Sequence, residues 1–192
     1  DIETLKENKI WLSNMKCVND KFEGTLEIIY DNVKLNFKFL EEYLKNIVNE
    51  SINEIISKFY LSCFCESVTK INMWSYYANS SKGFCIEYWR NDFEMPLFPV
   101  IYSDNKVINV DNIDEAEMYK SIMTKDSDWE KENEWRILFP YYGEFEKGIK
   151  IEQPKPKGLY LGSDVENTSY LWSELQKYCI DNDIEFYQMK LD

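Results

Sequence analysis

The sequence contains no histidine, and only two of its 22 basic residues, Arg90 and Arg136, are arginines. Without histidine the chain cannot build a histidine-based catalytic triad, a histidine-ligated metal site or an imidazole pH switch. Only these two guanidinium groups could bind a carboxylate or a phosphate in the bidentate mode. Much of hydrolase chemistry is therefore excluded, and any arginine-dependent site must use Arg90 or Arg136.

Glycine, proline and long apolar runs are also scarce. Six glycines and five prolines among 192 residues, of which 44% are hydrophobic, exclude collagen-like, low-complexity and disordered chains. The sequence has no apolar run of the roughly 18 residues that a membrane span requires, and no signal peptide opens it. The length predicts a single domain covering residues 1–192, and because Asp1 is not an initiator we expect the natural protein to begin earlier.

Acidic residues dominate the charge. Thirty-five of them give a net charge of −13, which repels nucleic acid and anionic membranes. A small nucleotide, a partner protein and a second copy of the chain stay open as partners. The five cysteines are odd in number and four lie in apolar or aromatic stretches, so we expect reduced thiols in a cytoplasmic protein. Cys63 and Cys65 form a close pair with no histidine or second pair, and no metal is predicted.

Hydrophobic periodicity predicts an α+β domain with a mixed, mostly antiparallel sheet and packed helices. Apolar residues recur at three and four positions from about Phe37 to Lys58, which predicts an amphipathic helix that covers the sheet. A strand with buried Trp135 and Ile137 is predicted over 129–139. Further strands are predicted at 9–13, 60–65, 84–88, 100–102, 149–151, 159–161 and 184–189, and further helices at 71–78, 113–123 and 170–178.

The segment from Trp129 to Ile137 carries the densest set of candidate functional residues. Strand periodicity would place Glu132, Glu134 and Arg136 on one face, with side chains two residues apart separated by about 7 Å. One carboxylate could then be held by the guanidinium while the other contacts a ligand hydroxyl. We expect Arg136 to be partly buried and paired with Glu132, Glu134 or an acid on a neighbouring strand. The alternative is a solvated strand face with an ordinary ion pair.

Two other segments offer ligand-binding side chains. Asn19 and Asp20 could hydrogen-bond a ligand, or they could satisfy backbone donors in a turn. Trp74, Tyr76 and Tyr77 could form a stacking surface for a ring, or they could belong to the core at helical spacing.

Five motifs follow one another along the chain: Asn19-Asp20-Lys21-Phe22-Glu23, Cys63-Phe64-Cys65, Met73-Trp74-Ser75-Tyr76-Tyr77-Ala78, Lys82-Gly83-Phe84-Cys85-Ile86-Glu87-Tyr88 and the segment from Trp129 to Arg136. Their order resembles a bacterial family known as domain of unknown function 2971. The resemblance covers nearly the whole chain, and its last two blocks are the most specific.

A fainter resemblance concerns chemistry. Glu132 and Glu134, separated by one residue near the end of the domain, are similar to the closing motif of ADP-ribosyltransferases, an arrangement found in toxin and phage-defence proteins. The resemblance implies that Glu134 binds the ribose of NAD and stabilises the oxocarbenium-like centre, while Glu132 orients or deprotonates the acceptor. It also implies that the ring of Trp74, Tyr76 or Tyr77 stacks on nicotinamide.

Three functional hypotheses stay open at this point. The first is an NAD-cleaving or ADP-ribosylating enzyme with NAD as its substrate. The second is a non-catalytic module that binds a ligand or a protein. The third is a magnesium-dependent nuclease that uses Asp20 with Glu132 and Glu134, against which the acidic charge argues.

Overall fold

A computed structural model of the chain describes residues 1–18, 27–29, 38–104, 107–109, 115–144 and 146–190. The predicted site residues Asn19 and Asp20 lie outside these ranges. The chain forms two compact units: a first unit of residues 1–10, 65–97 and 150–192, and a second unit of residues 11–64 and 98–149. Both contain helices and strands, which confirms the predicted α+β class with its mostly antiparallel sheets. The single domain over residues 1–192 stays a prediction.

Helices and strands follow the predicted order closely. The helices that the structure describes are α1 (Ile2–Lys6), α2 (Lys38–Ile56), α3 (Ile71–Tyr77), α4 (Glu115–Met123) and α5 (Tyr170–Asn182). The described strands are β1 (Lys9–Asn14), β2 (Glu27–Ile29), β3 (Phe59–Cys65), β4 (Phe84–Glu87), β5 (Leu97–Pro99), β6 (Ile101–Tyr102), β7 (Val107–Asn109), β8 (Thr124–Lys125), β9 (Glu134–Pro140), β10 (Gly148–Glu152), β11 (Gly158–Leu161) and β12 (Glu185–Gln188). None of the described helices is long and apolar enough to cross a membrane.

A three-stranded sheet with order β12-β11-β4 organises the first unit. Strand β11 runs parallel to β12 and antiparallel to β4. Because side chains alternate along a strand, Leu159 and Leu161 both face helix α5, where they form a core with Leu175 and Cys179. Helix α5 begins where the Ser169 side chain accepts the Trp172 N–H, a standard N-cap contact.

A second sheet has five strands in the order β10-β1-β3-β9-β5. Most of its residues, including all of β9, belong to the second unit. Helix α2 packs Ile52 and Ile56 against Phe59 and Leu61 of β3, which confirms the predicted amphipathic helix and its sheet contact. Only part of the apolar stripe is used, since Ile47 stays 41% exposed. A separate parallel pair, β6 and β8, sets Tyr102 opposite Lys125.

The strand predicted over 129–139 is wrong in its first part. Residues Ser127–Glu132 form a 3-10 helix, and β9 begins only at Glu134. The Asp126 side chain accepts the Asp128 N–H and starts the helical turn, while Asn133 ends it with a φ of 44°, a left-handed conformation that asparagine tolerates. Within β9, Ile137 is buried as predicted, but Trp135 is only half-buried.

Candidate functional site

Four charged side chains of the second unit converge on one another, and we call them the charge cluster: Lys125, Glu132, Glu134 and Arg136. They come from a short length of chain that folds back on itself. Helix α4 runs into β8, which carries Lys125, and the 3-10 helix that follows delivers Glu132 at its last position. The left-handed turn at Asn133 then starts β9, which carries Glu134 and Arg136. Three local elements and one asparagine therefore build the cluster.

Glu134 lies at the centre of the charge cluster. Its Oε1 accepts a hydrogen bond from Arg136 Nε at 2.6 Å, and its Oε2 accepts one from Lys125 Nζ at 2.7 Å. The same Lys125 Nζ donates to Glu132 Oε2 at 2.7 Å. Two cations thus face two carboxylates, so the formal charge of the cluster is zero.

Arg136 also connects the charge cluster to helix α4. Its Nη1 donates to the carbonyl oxygen of Ile122 at 2.9 Å. That carbonyl lies in the last turn of the helix, where backbone oxygens lack intrahelical partners and a cation is favoured. The guanidinium therefore ties the end of α4 to β9 while it holds Glu134.

All four residues of the charge cluster are buried. Arg136 is 0% exposed, Lys125 and Glu134 are 4% exposed and Glu132 is 6% exposed. Buried charges are tolerated only when they are paired and hydrogen-bonded, as these are. The predicted pairing of Arg136 with a carboxylate is confirmed, with Glu134 as the partner, and the side chain is fully rather than partly buried. The alternative of a solvated strand face is wrong.

The electrostatics of the charge cluster favour the charged forms of Glu134 and Lys125. Burial alone would disfavour the Glu134 carboxylate, but Arg136, by charge and hydrogen bond, and Lys125 outweigh it and lower the pKa of Glu134. Burial likewise opposes the charged form of Lys125, yet the two glutamates outweigh it and raise the pKa of the ammonium. Glu134 therefore acts as a hydrogen-bond acceptor only, and Lys125 is not available as a base at neutral pH.

Three neighbouring side chains complete the surroundings, and sequence reasoning assigned none of them to the site. The Cys63 thiol of β3 donates a hydrogen bond that helps to lower the pKa of Glu134. Lys125 Nζ lies 5.0 Å from the centre of the Trp129 ring, within cation–π range. The backbone N–H of Glu134 donates to the Tyr102 hydroxyl at 2.8 Å. The Cys63-Phe64-Cys65 motif carried a signal for Cys63, whereas no pattern singled out Lys125 or Tyr102.

The predicted aromatic residues lie in the first unit, on α3. Trp74 is 6% exposed, and its Nε1 donates to the carbonyl oxygen of Val68 at 2.7 Å. Tyr76 and Tyr77 are 66% and 57% exposed, and their rings meet edge to face at 6.5 Å. Trp74 is thus part of the interior of its unit, while the two tyrosines are surface residues, and a stacking role for these rings stays a prediction.

The stability of the protein should depend on pH through Glu134. The pKa of Glu134 in the folded protein lies below its ordinary value of 4.5. The stabilisation that ionised Glu134 provides is therefore fully present above pH 4.5 and is lost as the pH falls through the lowered pKa. We expect the stability difference between the wild type and Glu134→Gln to be largest near neutral pH and to narrow below about pH 4.5. Urea unfolding at several pH values measures it.

Glu130→Gln is the matched control for this pH dependence, because Glu130 lies in the same 3-10 helix but is exposed. It should leave the shape of the stability profile unchanged. A Glu134→Gln profile parallel to that of the wild type from neutral to acidic pH would contradict the prediction.

Metal-ligating side chains do not cluster in the part of the chain that the structure describes. Within the residues that the structure describes, no three histidine, cysteine, aspartate or glutamate side chains form a group that could hold a metal ion. Glu132 and Glu134 already bind Lys125, and the nuclease hypothesis would also need Asp20, which lies outside the described residues.

The fold and the charge cluster together define an α+β protein with a buried, internally neutralised ionic network. Residues 73–137 match the model of a family described as "Protein of unknown function (DUF2971)", which confirms the resemblance over that range. The matched range includes the motifs at 73–78, 82–88 and 129–136 and all four residues of the charge cluster. Comparison with curated proteins and with solved structures gave no significant match.

Proposed function

We propose that the chain is a non-catalytic binding module in which the charge cluster stabilises the second unit. The observation that carries this proposal is that both carboxylate oxygens of Glu134 are held by buried cations, Arg136 on one side and Lys125 on the other. A carboxylate that stabilises a transition state must direct an oxygen at the reacting atoms. Glu134 directs both of its oxygens at side chains of its own chain.

The energy of the ion pairs supports the same conclusion. A ribose hydroxyl could reach Glu134 Oε2 only if Lys125 or other neighbouring side chains moved, because Oε2 lies 2.7 Å from Lys125 Nζ and Glu134 is only 4% exposed. Removing one partner from a buried ion pair costs about 3–5 kcal/mol. Substrate binding would have to offset that cost before any chemistry began.

NAD cleavage by an ADP-ribosyltransferase-like enzyme of toxin or phage-defence type is the second candidate function. It is supported by the lowered pKa of Glu134, because a carboxylate that stabilises an oxocarbenium ion must be ionised. Lys125 also brings Glu132 next to Glu134, as a paired-carboxylate mechanism would need. NAD would be the substrate, and the links to Lys125 and Arg136 would have to rearrange when it binds.

An NAD assay separates the two candidates. We expect the protein to release no nicotinamide and to show no rise in melting temperature with NAD, whereas a ligand at 100 times its dissociation constant would add about 2.7 kcal/mol. We expect Glu134→Gln to lower the melting temperature, because the neutral amide weakens contacts to two buried cations. Nicotinamide release is measured by chromatography and unfolding by calorimetry.

The opposite pattern would overturn the proposal. An enzyme that uses Glu134 should release nicotinamide, lose about 100-fold or more of that rate in Glu134→Gln and keep its melting temperature. Glu130→Gln serves again as the control, since the exposed Glu130 should affect neither measurement.

A further inference from the structure

The three-stranded sheet of the first unit has a second face, opposite helix α5. The register pairs Gly158 of β11 with Glu87 and Glu185, and pairs Tyr160 with Cys85 and Tyr187. Because these positions alternate with Leu159 and Leu161, they point away from the core formed with α5. We call Glu87, Trp89, Lys157, Tyr160, Glu185 and Tyr187 the acidic-aromatic face.

Two stacked tyrosines form the middle of the acidic-aromatic face. The rings of Tyr160 and Tyr187 lie 4.9 Å apart with 21° between their planes, and Tyr187 is 41% exposed. The Tyr160 hydroxyl donates to Glu87 Oε2 at 3.0 Å. Burial and this carboxylate raise the pKa of Tyr160 to about 12, so its hydroxyl stays a neutral donor.

One end of the acidic-aromatic face already holds a cation. Lys157 Nζ lies 2.7 Å from Glu87 Oε1 and 4.3 Å from the centre of the Trp89 ring. A carboxylate together with the face of an aromatic ring is a combination that attracts ammonium and guanidinium groups. Lys157 thus occupies a cation-binding arrangement within its own unit.

The other end repeats that combination without a cation. Glu185 is exposed and hydrogen-bonded to Tyr187, and no lysine or arginine in the described residues pairs with it. Strand β12, which carries both residues, has β11 on one side and is an edge of the sheet among the described strands. The edge of a sheet can accept an extended peptide as an additional strand.

We propose that the acidic-aromatic face binds an extended basic segment of a partner protein, with an arginine or lysine side chain between Glu185 and the ring of Tyr187. This inference rests on the proposed function as a binding module. The net charge of −13 would speed the approach of such a segment and would make the affinity fall as salt is added. A second basic side chain of the same segment could reach Glu87 and Trp89 at the other end of the face. It would bind there less tightly, because Lys157 already contacts both residues.

The test uses a capped peptide of alternating arginine and serine as the probe and the same peptide with citrulline as the neutral comparison. We expect only the arginine peptide to bind in titration calorimetry at low salt. Tyr187→Ala and Glu185→Gln should each raise its dissociation constant about threefold to fivefold, the range that a single exposed cation–π or ionic contact provides. Tyr187→Phe keeps the ring and should bind nearly as the wild type does.

Lys157→Gln gives the most specific result, because removal of the internal cation should tighten peptide binding by about threefold. Tyr142→Ala and Glu166→Gln are the matched controls, since both residues are exposed and neither is a member of the acidic-aromatic face, and both variants should bind as the wild type does. Equal binding of the two peptides, or face variants that behave like the controls, would overturn the inference. Nicotinamide release that depends on Glu134 would instead overturn the proposed function, whatever the peptide does.

Discussion

Replacing Arg136 with methionine is expected to lower the free energy of unfolding by about 3–5 kcal/mol. Methionine fills a similar volume but leaves Glu134 with a single cation contact, from Lys125, and removes the donor to the Ile122 carbonyl. Both acceptors are inside the protein, where water cannot easily replace the lost hydrogen bonds. A loss of this size is a large fraction of the stability of an ordinary domain.

Urea unfolding followed by tryptophan fluorescence measures the effect of Arg136→Met. Arg136→Lys should fall between it and the wild type, because lysine keeps the charge but cannot reproduce both contacts of the guanidinium. Arg90→Met is the matched control, since Arg90 is exposed and we expect a change within about 0.5 kcal/mol. Similar unfolding midpoints for Arg136→Met and Arg90→Met would show that the network adds nothing to stability.

The pairing of Arg136 could be predicted because it depends on local pattern and composition. A chain with two arginines, one of them two residues after a glutamate in a β-rich run, leaves few ways to bury a guanidinium without a carboxylate. Helix α2 was predictable for a similar reason, since its apolar spacing extends over five turns. Both features are encoded by residues close together in the sequence.

Lys125 shows what the sequence could not reveal. It lies in a two-residue strand that has no detectable periodicity, and its burial results from pairing with β6 and from the fold of the 3-10 helix over it. The predicted strand placed Glu132 beside Glu134, which is correct, but the two residues do not share a strand. Glu132 ends a 3-10 helix, a left-handed turn at Asn133 follows it, and Lys125 donates to both carboxylates. The short strands β2 and β7 were missed in the same way, since three residues carry too little pattern.

The acidic-aromatic face was missed because its members are far apart in the sequence. Glu87, Tyr160 and Tyr187 come from three strands, and only the register of the sheet places them side by side. No short stretch of the sequence contains more than two of the six residues that form the face. Sequence reasoning therefore recognised the site whose residues are local and overlooked the surface that tertiary pairing creates.

Replacing Lys125 with methionine is expected to destabilise the protein by about 3–5 kcal/mol, because it removes the buried cation that links Glu132 to Glu134. The loss should shrink at acidic pH, where a glutamate can take up a proton instead of staying charged next to the other carboxylate. Lys147→Met is the control, because Lys147 is exposed and should change stability little at any pH. Chemical unfolding at neutral and at acidic pH measures both effects.

A second substitution turns this prediction into a test of sign. In the wild-type background Glu132→Gln should destabilise, because it weakens the 2.7 Å contact with Lys125. In the Lys125→Met background the same change should restore about 1–3 kcal/mol of unfolding free energy. There the Glu132 carboxylate is buried, at 6% exposure, without its contact to Lys125, and Glu132→Gln removes its charge. A Glu132→Gln effect of the same sign and size in both backgrounds would mean that Lys125 and Glu132 are not energetically coupled, and the charge cluster would then be a set of independent contacts rather than a network.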